Sequence, residues 1–287
     1  MSSTECRGRR SPTALRLLWA AGLVGALAAG CAGRGVGADP PSALWRESPG
    51  RGYTLHYAQG HRADARDVAR RVDKGRREVE AFFGSPCPRA FDLRVFPDRA
   101  SLTAVWRQAW GAPEFEPQCW MVASGTASAL AILSPSAWKT EACEHDPEDR
   151  QATQKLITHE LVHVYHGQVN PDPEFDGAEE IGWFVEGLAV LASGQLDEKR
   201  LARARAAVAA GKGPARLQDA WSGPDRYGIA GSLVSYLDRA QGRATLLRLM
   251  KLTSNGEILA ALGLTEEELL SRGRAALTSG PGAAPRG

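Results

Sequence analysis

The chain has 287 residues, 43% of them hydrophobic, with 35 Lys and Arg against 33 Asp and Glu and a formal net charge of +2. That length can build one large or two-lobed core, while the near-balance of charge argues against a basic surface for nucleic acid. The five cysteines include no CxxC pair, which argues against a structural cysteine–zinc site.

Residues 1–31 read as an export signal. Arg7, Arg9, Arg10 and Arg16 precede an apolar stretch over 17–30, too short for a comfortable membrane span. The stretch ends Leu27-Ala-Ala-Gly-Cys31, which resembles a bacterial lipobox and implies cleavage before Cys31 with lipid on its sulfur. Ordinary signal cleavage nearby is the alternative. Removing residues 1–30 takes away four arginines and Glu5, leaving 31 basic and 32 acidic residues, a net charge of −1. The expectation is an exported protein held on the envelope by a lipid, or released if Cys31 is unmodified. No other membrane contact and no nucleic-acid partner is expected, and the oligomeric state stays open.

Residues 32–50, rich in Gly, Pro and Ser, read as a tether. Residues 51–278 form the expected folded domain, and 279–287 a Gly/Pro/Ala-rich disordered tail. Tyr53–Tyr57 alternates like a strand, and Ala63–Gly84 carries Val68, Val72, Val79, Phe82 and Phe83 at helical spacing. Phe91–Phe96 is a second strand, and Asp98 is placed to cap a helix running to Trp110. Cys119–Ser124 and Ala129–Ser134 read as a hairpin around Gly125. Beyond Gln151 helices are expected over 151–166, 178–193, 197–210, 226–241, 243–252 and 265–277. The class is therefore α+β: a small N-terminal mixed sheet with helices, then a mostly helical C-terminal lobe. In an exported protein Cys119 and Cys143 are the expected disulfide, because the segment between them is compact; a bridge to Cys87 or three free thiols are the alternatives. Trp106, Trp110, Trp120 and Trp183 either pack the core or line a cleft.

The most informative segment is His159-Glu160-Leu161-Val162-His163. Four residues on a helix span about 400°, so the two imidazoles point the same way about 6 Å apart along the axis. That is close enough for both to reach one Zn²⁺ at about 2.0–2.1 Å. Glu160 lies about 100° round the helix, where its carboxylate can take a proton from a water that zinc has made acidic. The surrounding run from Gln151 to His166 has neither Pro nor Gly, and Gly167 stands where a C-cap would fall.

A catalytic zinc usually has three protein ligands and an open position. His166 shares the stripe but sits about 10.5 Å along the axis from His159, so it reads as a supporting or helix-end residue. Glu186 is the better third ligand; the alternative is that it rides an exposed stripe, as Glu179 and Glu180 are expected to do. It is flanked by Phe184, Val185, Leu188 and Val190, and a carboxylate in an apolar helix needs a cation.

His159-Glu160-Leu161-Val162-His163, followed 23 residues later by Glu186 in Trp-Phe-Val-Glu-Gly-Leu-Ala, resembles the gluzincin zinc metallopeptidases. Among them it is most similar to the compact peptidase MA-like domains of bacterial proteins. The resemblance spans about residues 50–250 and implies a zincin-like fold with the metal site at the junction of sheet and helical lobe. It implies one Zn²⁺ held by His159, His163 and Glu186, Glu160 as general base, and a peptide or protein substrate. Tyr227, at the start of the following helix, resembles a recurrent Tyr of the family and would stabilise an oxyanion; packing on the core is the alternative. An edge strand beside the zinc holds extended substrate in that family, and Ala129–Ser134 is the expected counterpart; a plain core hairpin fits the sequence equally well. One departure stands out: the thermolysin-type pattern has Asp four residues after the ligand Glu, where this chain has Val190. The competing function is a non-catalytic zinc-binding envelope lipoprotein serving as a binding or scaffold module, which would have no need of Glu160.

Overall fold

A computed structural model describes residues 45–175 and 179–279. The expected signal and lipobox with Cys31, the first part of the tether and residues 280–287 lie outside the described residues.

Five strands form one mixed sheet: β1 (Trp45–Pro49), β2 (Tyr53–Ala58), β3 (Phe91–Phe96), β4 (Ala123–Gly125) and β5 (Ala129–Leu133). Their spatial order is β1-β2-β3-β5-β4, with β2, β3 and β5 parallel and the two outer strands antiparallel to their neighbours. The alternation read in the sequence sets the register. Leu55 opposes Leu93 and Leu93 opposes Leu130, and all three are buried, so one-residue slippage would turn this row to solvent.

Among the described residues ten helices accompany the sheet. They are α1 (Arg62–Phe83), α2 (Arg99–Ala109), α3 (Trp138–Glu141), α4 (Arg150–Val169), α5 (Gly182–Ala192), α6 (Glu198–Ala209), α7 (Arg226–Gln241), α8 (Arg243–Leu249), α9 (Asn255–Leu262) and α10 (Glu266–Thr278). α1 supplies the crossover that parallel β2 and β3 require. Its stripe of Val68, Val72, Val79 and Phe83 is buried, and it packs beside α4 under the sheet. The Asp98 side chain accepts from Ser101 N–H and caps α2. α5 lies between α4 and α7, and α6 and α10 close over α7. The class is α+β, a small mixed sheet followed by a mostly helical part. No helix among the described residues is long and apolar enough to cross a membrane.

Four local expectations are corrected. The end of the supposed tether, Trp45–Pro49, is strand β1, paired with β2 from Trp45↔Ala58 to Pro49↔Thr54. Its side chains are mostly exposed, so backbone pairing rather than an apolar pattern holds it, and periodicity could not reveal it. The first hairpin strand begins at Ala123 rather than Cys119, because Cys119 belongs to a disulfide and Met121 N–H closes a turn on the Gln118 carbonyl. Gly167 does not end α4, which continues to Val169. A Cβ there would stand 2.7 Å from the Pro173 carbonyl oxygen and 2.9 Å from the Ala127 nitrogen, so the glycine admits neighbouring backbone. Finally, α9 was not expected; the Ser254 hydroxyl caps it by accepting from Glu257 N–H.

Candidate metal centre

α4 is held rigidly before it presents anything to the site. Asp149 caps its first turn by accepting from Gln151 and Ala152 N–H. Gln154 donates to the Arg71 carbonyl, and Thr158 donates to the Glu78 carboxylate at 2.8 Å. At the far end Gln168 donates to the carbonyls of Arg89 and Ala127, and Asn170 to that of Met250. Such satisfied buried polar groups fix the helix's rotation as well as its position.

On this helix His159 and His163 are buried, and buried Glu186 meets them from α5. The two Nε2 atoms are 3.0 Å apart, and Glu186 Oε2 lies 3.2 Å from His159 Nε2 and 3.6 Å from His163 Nε2. Neighbouring donors around a tetrahedral zinc with bonds of 2.0–2.1 Å lie about 3.3 Å apart. The triangle thus has the size and the two-nitrogen, one-oxygen composition of a metal site. It is the cluster of His, Cys, Asp or Glu found among the described residues that can hold a metal ion.

Electrostatics point the same way. Burial would raise the Glu186 carboxyl, but the His163 and His159 imidazoles overcome it and hold the group down at about 2. Burial opposes charge on His163, yet Glu186 and then Glu160 push it upward. The carboxylate therefore stays ionised among buried rings, a setting that favours a cation.

Glu160 reaches the same cleft from the next position on α4. Burial raises its carboxyl, and Glu186 adds to the rise, while His159, His163 and a hydrogen bond from the Gly125 backbone pull it down. The net shift is upward, the direction a proton acceptor working near neutral pH needs. The cleft has a volume of about 800 Å³. One wall is β4, the outermost strand, whereas β5 is paired on both sides. The expectation that Ala129–Ser134 is the edge strand is therefore corrected: Ala123–Gly125 holds that place.

Tyr227 opens α7 and lines the cleft, its ring centre 6.5 Å from that of His159. Burial, helped by Glu186, pushes its phenol up to about 12 against the pull of Arg226, so it is a hydrogen-bond donor at neutral pH. Cys119 and Cys143 are disulfide-bonded, 24 positions apart in sequence, and carry Trp120 and Glu144 on the cleft rim. His145 sits 2.8 Å from the Trp120 carbonyl and steadies that rim. Cys87 is free and half-buried. Trp110 and Trp120 line the cleft, while Trp106 and Trp183 are core residues, their indole N–H groups donating to Ser124 and Asn255.

His166 is absent from the triangle. It is fully buried, and its Nε2 donates to the Met250 carbonyl at 3.1 Å, which ties α4 to the segment after α8. Val190 is buried and apolar, and His159 Nδ1 has no hydrogen-bond partner among the described residues. The carboxylate that would orient this imidazole is thus not supplied from that position.

Sequence reasoning missed Trp221 and Arg226, both lining the cleft. The signal for Arg226 was its place beside Tyr227; Trp221 carried none, because its approach to the site depends on tertiary packing. No protein-family model matches the chain, and no curated protein matches it.

Proposed function

We propose that this chain is a zinc-dependent metallopeptidase of the gluzincin type. Its substrate is a peptide or protein, and it works outside the cytoplasm on the cell envelope. The observation that carries the reading is the donor triangle of 3.0, 3.2 and 3.6 Å with the Glu160 carboxyl opening into the same cleft. His159, His163 and Glu186 would hold the ion. When bound, zinc supplies Lewis acidity that makes a water nucleophilic near neutral pH and polarises a carbonyl.

The chain's own groups supply the rest. Glu160 accepts the proton of the attacking water and returns it to the departing amine, so the proton count closes within one turnover. Tyr227 O–H donates to the carbonyl oxygen as negative charge builds on it. The outer side of β4 has no partner strand among the described residues, so its backbone can pair with an extended peptide and aim the scissile bond at Glu160. Attachment to the envelope rests on Cys31; palmitate labelling lost in Cys31→Ala supports it, and an unlabelled soluble wild-type protein means ordinary signal cleavage.

Digestion of casein and a broad peptide library by zinc-loaded protein tests the activity. The expected result is cleavage abolished by 1,10-phenanthroline. A loaded, folded protein that cleaves nothing would transfer the reading to a zinc-binding scaffold.

A further inference from the structure

Arg226 lies in the first turn of α7 and lines the cleft. Its guanidinium carbon stands 5.3 Å from the Trp120 ring centre, 5.3 Å from that of Trp221 and 5.2 Å from that of Tyr227. All three fall within the roughly 6 Å over which an aromatic face attracts a cation. The rings hold it in place without accepting its N–H groups in plane. Among the described residues its polar contacts are neutral: the Gly223 carbonyl, which accepts from Nη1 at 3.3 Å, and the Tyr227 phenol.

The other arginines of the cleft differ. Arg200 pairs with Asp197 at 3.3 Å, and Arg203 pairs with Asp225 at 3.0 Å. Among the described residues Arg226 has no carboxylate at ion-pair distance. A guanidinium carries five donors in a rigid fork, so most of this fork is unused. Lys155 also lines the cleft without an ion pair among the described residues, but a hydrated ammonium on a flexible stem is ordinary at a surface. A fork held among three aromatic rings is not. Centroid steps of 5.2 and 6.5 Å, through Tyr227, link it to the His159 ring, within the reach of a short peptide lying across the site.

We propose that Arg226 receives one carboxylate of the bound peptide and makes the cleft prefer peptides that place a carboxylate there, a local preference in a lining that otherwise carries more carboxylates than cations. The carboxylate is either the C-terminal group or an Asp or Glu side chain. The fork matches two carboxylate oxygens at once, in a charge-assisted bidentate pair. The consequence for turnover rests on the peptidase reading; the consequence for binding does not.

The test uses four versions of one peptide series: internal Glu or Gln, each with a free or an amidated C-terminus. Zinc-loaded wild-type protein is expected to favour a carboxylate-bearing version over its neutral twin by about ten- to a hundredfold in kcat/KM, chiefly through KM. Free against amidated ends identify the C-terminal group, and Glu against Gln identifies the side chain. Arg226→Gln should bring the ratio close to one and Arg226→Lys should keep part of it; the Lys variant serves alone if the Gln variant does not fold. Binding of the same peptides to zinc-loaded Glu160→Gln protein, by calorimetry, supplies a readout without turnover. Arg226-dependent preference in binding with no cleavage by wild type would uphold the carboxylate site and end the peptidase reading. Equal handling of all four peptides, preference retained in Arg226→Gln, preference lost instead in Lys155→Gln, or neither cleavage nor binding would overturn the proposal.

Discussion

The backbone of Gly125 rests on the carbonyl of Glu160: a Cβ at position 125 would stand 2.1 Å from that oxygen and 3.2 Å from the His163 Cβ. The outermost strand therefore touches the helix that carries His159 and His163 with no side chain between them. Two rigid backbones meet here, so neither yields cheaply. Gly125→Ala should cost about 1–3 kcal/mol through overpacking, seen as a lower Tm. Because β4 would move away from α4, peptide cleavage should fall further than stability accounts for, at a temperature where the variant is fully folded. An unchanged Tm and rate would mean that strand and helix are free to separate.

The donor triangle makes a demand on composition. His163→Ala and Glu186→Ala should each lose most bound metal after dialysis, while wild-type protein retains one zinc per chain. Metal bound only by the folded state adds about 4 kcal/mol when free metal exceeds Kd a thousandfold, so a chelator should lower the wild-type Tm and leave both variants nearly unaffected. Full stoichiometry in Glu186→Ala would remove Glu186 as a ligand. Iron in place of zinc would redirect the reading to another chemistry of two histidines and one carboxylate.

His166 predicts how acid acts on the fold. Burial first, then the nearby His163, lowers its imidazole from 6.5 to about 3. Between those values the unfolded chain binds the proton and the folded chain does not, so stability falls as pH drops through the window. The slope from this one group approaches about 1.4 kcal/mol per pH unit. His166→Gln has no such group and should show a shallower acid limb in urea titrations from pH 6.5 to 4. Parallel limbs would mean that His166 is protonated in the fold.

Much of this fold and site is legible in the sequence. Strand alternation placed β2 and β3, Asp98 announced α2, and the His159–Glu160–His163 spacing with Glu186 named the triangle. These features are local: they depend on helical or strand period and on the cost of an isolated carboxylate. What was not legible depended on distant backbone. Gly167 has the chemistry of a helix stop, but its bare Cα admits Ala127 and Pro173 instead. Trp45–Pro49 pairs through its main chain, which leaves no trace in side-chain pattern. Whether β4 or β5 takes the sheet edge is a matter of strand order, and the hairpin sequence is the same either way.

Tyr227 carries a phenol that stays protonated until about 12. On the proposed reading Tyr227→Phe loses a donor felt mainly in the transition state, so kcat should fall by about a hundred- to a thousandfold with little change in KM. A rise in KM at constant kcat would assign Tyr227 to substrate packing alone.

Glu160→Gln separates chemistry from architecture most cleanly. Glutamine keeps nearly the same volume and can still sit against the Gly125 backbone, so folding and Tm should change little. Glu160 is outside the donor triangle, so zinc stoichiometry should also hold. The amide cannot take up a proton near neutral pH, and hydrolysis should fall by about a hundred- to ten-thousandfold, as for other losses of acid–base catalysis. The raised carboxyl adds a second expectation for wild type, since on the proposed mechanism activity needs the ionised form. Its acid limb should lie above the ordinary range of a glutamate, in the direction that burial pushes it, and should be absent from any residual Glu160→Gln rate. The measurements are kcat/KM against pH with a peptide whose cleavage 1,10-phenanthroline abolishes, alongside metal analysis of the same preparation. A zinc-replete Glu160→Gln protein that cleaves as fast as wild type would show that the proton goes elsewhere, and the mechanism would have to be rebuilt around another base.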